Sequence, residues 1–216
     1  IYDIRQGKEV DGLTRIDEVI LNAYDHLGKI SGADRNKYLG AKSGFSDLDN
    51  IITGLNKSDL LIIAARPGMG KTSFALNMAT NVCRHSANKE VVIFSLEMSK
   101  EQLATRMLSS ESLVNSGSLM TGRISGEEWG KLAKGAERLS HMEIYLDDTA
   151  GITVVQMKAK LRRMKNLGLV IIDYLQLMNS GRKIDNRVNE ISEITRQLKL
   201  MAKELNVPVI TLSQLS

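Results

Sequence analysis

The sequence predicts an α/β domain with a mostly parallel sheet flanked by helices, preceded by a separate helical segment. Three observations carry this. From about Gly44 onward, short apolar runs alternate with stretches of helical spacing. The first of those runs leads into a glycine-containing turn, RPGMGKT, that opens a helical pattern. The 216 residues are 43% hydrophobic and 25% charged, an ordinary globular balance on a chain long enough for one domain with its own core.

Residues 1–38 read as a linker segment carrying one amphipathic helix, at about 14–28. TRIDEVILNAYDHLGK places Ile16, Val19, Ile20, Ala23 and Leu27 on one helical face. Thr14 is the expected cap, Asp17 suits the first turn and Gly28 is the expected stop. A lone helix of this length is marginal in water, so the stripe needs a partner. That partner is either the surface of its own domain or a neighbouring subunit. The polar stretch SGADRNKYLGAKSG reads as a linker.

Residues 39–216 form the second unit. DLLIIAA is a continuous apolar run, the pattern of a strand buried on both faces. TSFALNMATNVCRH follows with helical spacing, then EVVIFSLE as the second buried strand. SKEQLATRMLSSES is helical with Ser99 as its cap. The more polar stretch from Leu113 to His141 is helical in part, with a start signal at Ser125-Gly126-Glu127-Glu128. EIYLDD is a third strand, TVVQMKAKLRRMKN a basic helix and LGLVIIDYLQLM a fourth strand. NRVNEISEITRQLKLMAKELN sets Val188, Ile191, Ile194, Leu198, Met201 and Leu205 on one stripe, and VPVITLSQ is the fifth strand. Neither Pro67 nor Pro208 interrupts a predicted helix.

Composition excludes some classes. No apolar run approaches the ~20 residues of a membrane helix, and IYDIRQGKEV carries no secretory pattern. Cys83 is the single cysteine, so no intramolecular disulfide can form, in keeping with a cytoplasmic protein. Its place late in the apolar pattern makes it a core residue. The net charge of +4 permits an anionic partner without specifying one.

The chemistry lies at the ends of the strands. A phosphate loop aims backbone N–H groups at anionic oxygens at a helix N-terminus. Here Lys71 supplies a point charge for the β and γ phosphates, and Thr72 a hydroxyl for Mg²⁺. Arg66, Pro67, Gly68, Met69, Gly70 and Ser73 complete the candidate nucleotide cradle. The usual pattern has a glycine where this chain has Ala65, which alanine can replace provided φ is negative. Asp173 ends a buried strand on the ligand-binding edge of the sheet and reads as the Mg²⁺-side carboxylate. Glu97 also follows a buried strand and can polarise a water for attack on the γ-phosphate. Gln214, at the C-terminal end of the fifth strand, is placed to contact that phosphate. The fourth and fifth strands flank one crossover helix, so they are expected neighbours, with Asp173 and Gln214 close in space.

These residues together resemble the C-terminal motor domain of the bacterial replicative DNA helicase, the DnaB family, within the wider RecA-like ATPases. The carriers are GFSDLDNIITGLNKSDLLIIAARPGMGKTSFALNMA, IFSLEMSKEQLATRML, YLDDTAGITVVQMKAKLRRMK, VIIDYLQLM and KLMAKELNVPVITLSQLS, in the family's order and over most of residues 39–216. The family itself lacks the first loop glycine. The resemblance implies a RecA-like ATPase fold and an ATP-driven, Mg²⁺-dependent helicase that moves 5′→3′ on single-stranded DNA, as a homo-oligomer, typically a hexameric ring. It implies Glu97 as the catalytic carboxylate, Lys71 and Thr72 on phosphate and metal, Asp173 supporting Mg²⁺, and Gln214 coupling phosphate state to DNA-facing loops. The first helix matches the family's linker helix, which docks on the adjacent subunit. Primase and a helicase loader are the partners the family implies. The family continues into further strands, a second DNA-binding loop and an arginine finger, so those C-terminal strands are expected to lie outside this chain. The 216 residues alone are then expected to bind nucleotide, hydrolyse it poorly and separate no strands.

Two basic stretches are candidates for DNA. MKAKLRRMK carries Arg162 and Arg163, and NSGRKIDNR carries Arg182, Lys183 and Arg187. Such residues neutralise phosphates. No aromatic residue interleaves them, so backbone contact is expected rather than base stacking. Two other readings stay open from sequence: a RecA- or KaiC-like ATPase of recombination or signalling, and a nucleotide-gated assembly module without turnover.

Overall fold

The computed structural model describes residues 14–32, 38–86, 88–181 and 186–215. The chain divides into two compact units, Ile1–Leu39 and Gly40–Ser216.

In the first unit, α1 spans Ile16–Ser31. Two expectations are corrected here. Arg15, extended and without a side-chain cap bond, precedes the helix in place of Thr14. Gly28 lies inside the helix, which closes at Gly32 through an N–H donated to Lys29 O. A glycine costs a helix about 1 kcal/mol, but here an Asp25–Lys29 pair at i,i+4 spans the position. No residue of α1 is buried: Ile16, Val19, Ile20 and Leu27 all face outward.

In the second unit a five-stranded parallel sheet has the order β1-β5-β4-β2-β3. The strands are β1 Leu60–Ala65, β2 Glu90–Ser95, β3 Ile144–Asp147, β4 Leu167–Asp173 and β5 Val209–Gln214. Period-two alternation divides the core in two. Val92, Phe94, Val170, Ile172 and Val209 face helices α7 (Val154–Leu161) and α8 (Arg187–Leu205). Val91, Ile93, Leu169, Ile171, Ile210 and Leu212 face α3 (Lys71–His85) and α4 (Lys100–Ser112). Strands β4 and β5 are neighbours, as their single crossover helix predicts.

Capping explains most helix starts. Reciprocal boxes form at Ser99/Gln102 for α4, Ser125/Glu128 for α6 (Gly126–Ser140) and Thr153/Gln156 for α7. The stretch between α4 and α6 also holds the short α5, Ser116–Thr121.

Four sequence expectations shift. A short helix α2, Ser46–Ile52, was not legible as periodicity. Strand β1 is not buried on both faces: Ile62 is 49% exposed, because among the described residues β1 pairs only with β5. Helix α7 stops at Leu161, so Arg162 is its cap and Arg163 lies beyond it. Val188 leaves the α8 stripe and is exposed, since the helix meets the core only from Ile191 onward. Cys83 is half-buried against the α3 side of the core.

Candidate nucleotide site

All strands are parallel, so their carboxyl ends share one edge, and the connecting turns there carry the chemistry. Ala65 is the last residue of β1, in extended backbone and paired with Gln214 of β5. Its negative φ makes the missing glycine harmless. The loop then turns through Gly68 and Gly70, with φ of 77° and 81°, the left-handed region that glycine adopts without strain. Gly70 is the cap of α3, and a Cβ added at either glycine would meet open space. The two glycines are therefore needed for backbone conformation rather than for clearance within the protein. Arg66, Pro67, Met69 and Ser73 line this exposed turn.

Lys71 and Thr72 begin α3 and point into the same corner. The Lys71 ammonium lies over the Tyr174 ring, 4.9 Å from its centroid. Thr72 Oγ1 donates to Asp173 Oδ2 at 2.7 Å. Asp173 is 2% exposed, and its Oδ1 is buried with no hydrogen-bond partner. A buried carboxylate oxygen without a partner is costly, which marks a place where a cation or its water belongs. A hydroxyl and a carboxylate, with the remaining positions left to phosphate oxygens and water, fit the way Mg²⁺ is held. Among the described residues no cluster of three or more His, Cys, Asp and Glu offers an all-protein metal cage.

Glu97 reaches the same edge from β2. Ser95 is paired with Asp173, and Leu96 N–H donates to Asp173 O at 2.7 Å. The Ser95 hydroxyl then pins the turn by donating to Met98 O and accepting from Met98 N–H. Glu97 is held between these anchors with its carboxylate exposed. Ser95 and Tyr174 escaped the sequence reading. Their only signal was adjacency to strand-end carboxylates.

Of the basic candidates, Arg162 and Arg163 lie away from this edge. Helix α7 runs back from β3 toward the start of β4, so its C-terminal end lies at the opposite edge of the sheet. There Lys158 and Arg162 pair with Glu204. The hydrogen bond from Lys158 holds the Glu204 carboxyl below its usual range. Arg163 is exposed beside them. Arg187, at the start of α8, pairs with Glu190 and donates to the carbonyls of Gln176 and Met178. Arg182 and Lys183 lie outside the described residues.

A glycine turn after β1, with carboxylates at the ends of β2 and β4, defines a phosphate-loop nucleotide-binding domain of RecA-like fold. The model of the DnaB-like helicase C terminal domain matches residues 40–216, and the chain belongs to that family. It is 46% identical over its whole length to the replicative DNA helicase DnaB of Geobacillus stearothermophilus, and equally to the replicative DNA helicase DnaC of Bacillus subtilis strain 168. The chain spans 48% of the length of each. Two solved structures are similar at 36% identity over 95% of this chain. One is a DnaB-like replicative helicase described with its primase interactions (TM-score 0.83, 49% of that chain). The other is the ATPase domain of G40P (TM-score 0.85, 72% of that chain). The RadB recombinase shares the fold alone, at 19% identity over 81% of this chain and 70% of its own, with a TM-score of 0.50.

Proposed function

We propose that this chain is the ATP-driven motor of a replicative DNA helicase, working in the cytoplasm and moving 5′→3′ on single-stranded DNA to part the duplex. The observation that carries the reading is the Thr72–Asp173 bond beside an unpartnered carboxylate oxygen, at the mouth of a glycine turn. The backbone N–H groups from Gly68 to Ser73 take the phosphate oxygens, and Lys71 meets the β and γ phosphates. Thr72 and Asp173 hold Mg²⁺, which when bound neutralises charge on the phosphates. Glu97 takes up a proton from the attacking water. Gln214, beside Ala65, meets the terminal phosphate. DNA contact falls to Arg182, Lys183 and Arg187 after β4, with Arg162 and Arg163 serving a second surface.

Assembly completes the reading. The apolar stripe of α1 seats on a second copy, in a homo-oligomeric, hexameric ring that primase and a loader engage. A groove of about 1000 Å³ lined by α3, α4 and α5, with Leu113 and Met120 exposed, suits such a helix. No helix among the described residues is long and apolar enough to cross a membrane.

The test is ATP hydrolysis by the full-length protein, with and without single-stranded DNA, beside Glu97→Gln. DNA is expected to stimulate turnover. The variant is expected to bind ATP normally and lose about 10²–10⁴-fold in rate, the usual worth of a positioned base. Turnover indifferent to DNA would remove the motor reading.

A further inference from the structure

Gln176 links two elements that meet at the nucleotide edge. It lies on a single 3-10 turn, Leu175–Leu177, just after Asp173 and Tyr174. Leu175 and Met178, 3% and 2% exposed, anchor that turn in the core. The side-chain amide is satisfied by the end of β5. Nε2 donates to Ser213 Oγ at 2.9 Å and to Gln214 O at 3.0 Å, and Oε1 accepts from Gln214 N–H at 3.3 Å. The Gln176 carbonyl accepts from the Arg187 guanidinium, and Arg187 pairs with Glu190. Glu190 in turn accepts from Ser180 N–H at 3.2 Å. One residue thus joins the strand end that carries Gln214 to the first turn of α8.

The residue type matters. An amide offers two donors and an acceptor on one planar group, which a carboxylate or a hydroxyl cannot reproduce here. Both backbone groups of Gln214 are held by Gln176, while its own side chain is exposed at the nucleotide edge. Helix α8 is seated in the core by Ile194, Leu198 and Met201, while its first turn stands clear of the core and is tied to the 3-10 turn through Arg187, so that turn can move with Gln176 as the rest of the helix stays packed.

We propose that Gln176 is a positioning residue that transmits displacement of Gln214 at the nucleotide edge to the start of α8. This rests on the reading of Gln214 as the residue that meets the terminal phosphate.

Hydrogen exchange on the full-length protein tests it, with Mg²⁺ and either ADP or a non-hydrolysable ATP analogue, in wild type, Gln176→Leu and Gln176→Glu. In wild type the analogue slows exchange, relative to ADP, at both residues 210–215 and residues 187–193. In Gln176→Leu the difference at 210–215 persists, the difference at 187–193 falls roughly fivefold or more, and the Kd for ATP stays within about twofold. Gln176→Glu keeps the acceptor and loses both donors, and gives an intermediate response. An α8 response equal in all three proteins overturns the proposal, as does a wild type with no triphosphate-specific response at α8. A wild type silent at both segments removes the Gln214 reading and the relay together. If the exchange pattern holds but DNA does not stimulate turnover, the motor reading fails and the relay stands.

Discussion

Thr72 Oγ1 and Asp173 Oδ2 are 2.7 Å apart across 101 residues of chain, and this bond closes the floor of the candidate nucleotide site. Thr72→Ala would leave both carboxylate oxygens without a protein partner in a buried place, at a cost of about 1–3 kcal/mol. For a domain of this size that is a fall in Tm of roughly 2–12 °C. Thr72→Ser keeps the donor. Thermal melts with ATP, with and without Mg²⁺, check this: Mg²⁺-dependent stabilisation is expected to survive in the serine variant and vanish in the alanine variant.

The Tyr174 ring holds the Lys71 ammonium at the phosphate loop, 4.9 Å from its centroid. A flexible lysine otherwise loses rotamer entropy when it is ordered on a ligand. Tyr174→Leu is expected to weaken ATP binding about 2- to 5-fold, the worth of a partly exposed cation–π contact. Tyr174→Phe retains the ring face and is expected to restore binding. Titration with a fluorescent ATP analogue separates the two.

The loop glycines differ in kind from the position the usual motif assigns to glycine. Gly70→Ala places a Cβ at φ 81° with no clash around it, so the expected loss is the strain alone, about 1–2 kcal/mol. Ala65→Gly acts on an extended strand residue and is expected to leave ATP affinity unchanged while costing up to about 1 kcal/mol of stability. Equilibrium unfolding beside ATP titration checks both.

Burial pushes the Cys83 thiol up to about 11, with the Glu143 carboxylate adding to the effect. The folded protein therefore holds this proton more tightly than the unfolded chain does. That contribution to stability is complete below the ordinary thiol value of 9.0 and is lost as pH rises through about 11. Iodoacetamide is expected to alkylate Cys83 slowly at pH 8 in the native protein and readily in denaturant, with mass spectrometry as the readout.

Much of this was readable from residue order. Strand runs, capping boxes and the loop are local signals, and each of the five strands appears where its apolar run lies. The edge chemistry was readable because parallel topology sends every strand end to one side. What escaped depends on long-range neighbours. Ile62 is exposed because of the position of β1 in the sheet, which no property of LLIIAA reports. Arg162 meets Glu204 only because α7 and α8 cover the same face of the sheet. Gln176 looked like an ordinary polar residue until the end of β5 came beside it.

The strand order has a consequence for synthesis on the ribosome. Strands β2, β3 and β4 can pair once residue 173 has emerged. The strand that carries the phosphate loop must wait, because β5 stands between it and β4. Until residues 209–214 leave the exit tunnel, β1 lacks its β5 partner, and β5 does not yet join the strand before the phosphate loop to the strand that ends in Asp173. The candidate nucleotide pocket therefore cannot close before Val209 has emerged, and a nascent chain halted short of it should display paired β2, β3 and β4 beside a β1 without its β5 partner, the kind of intermediate that chaperones recognise.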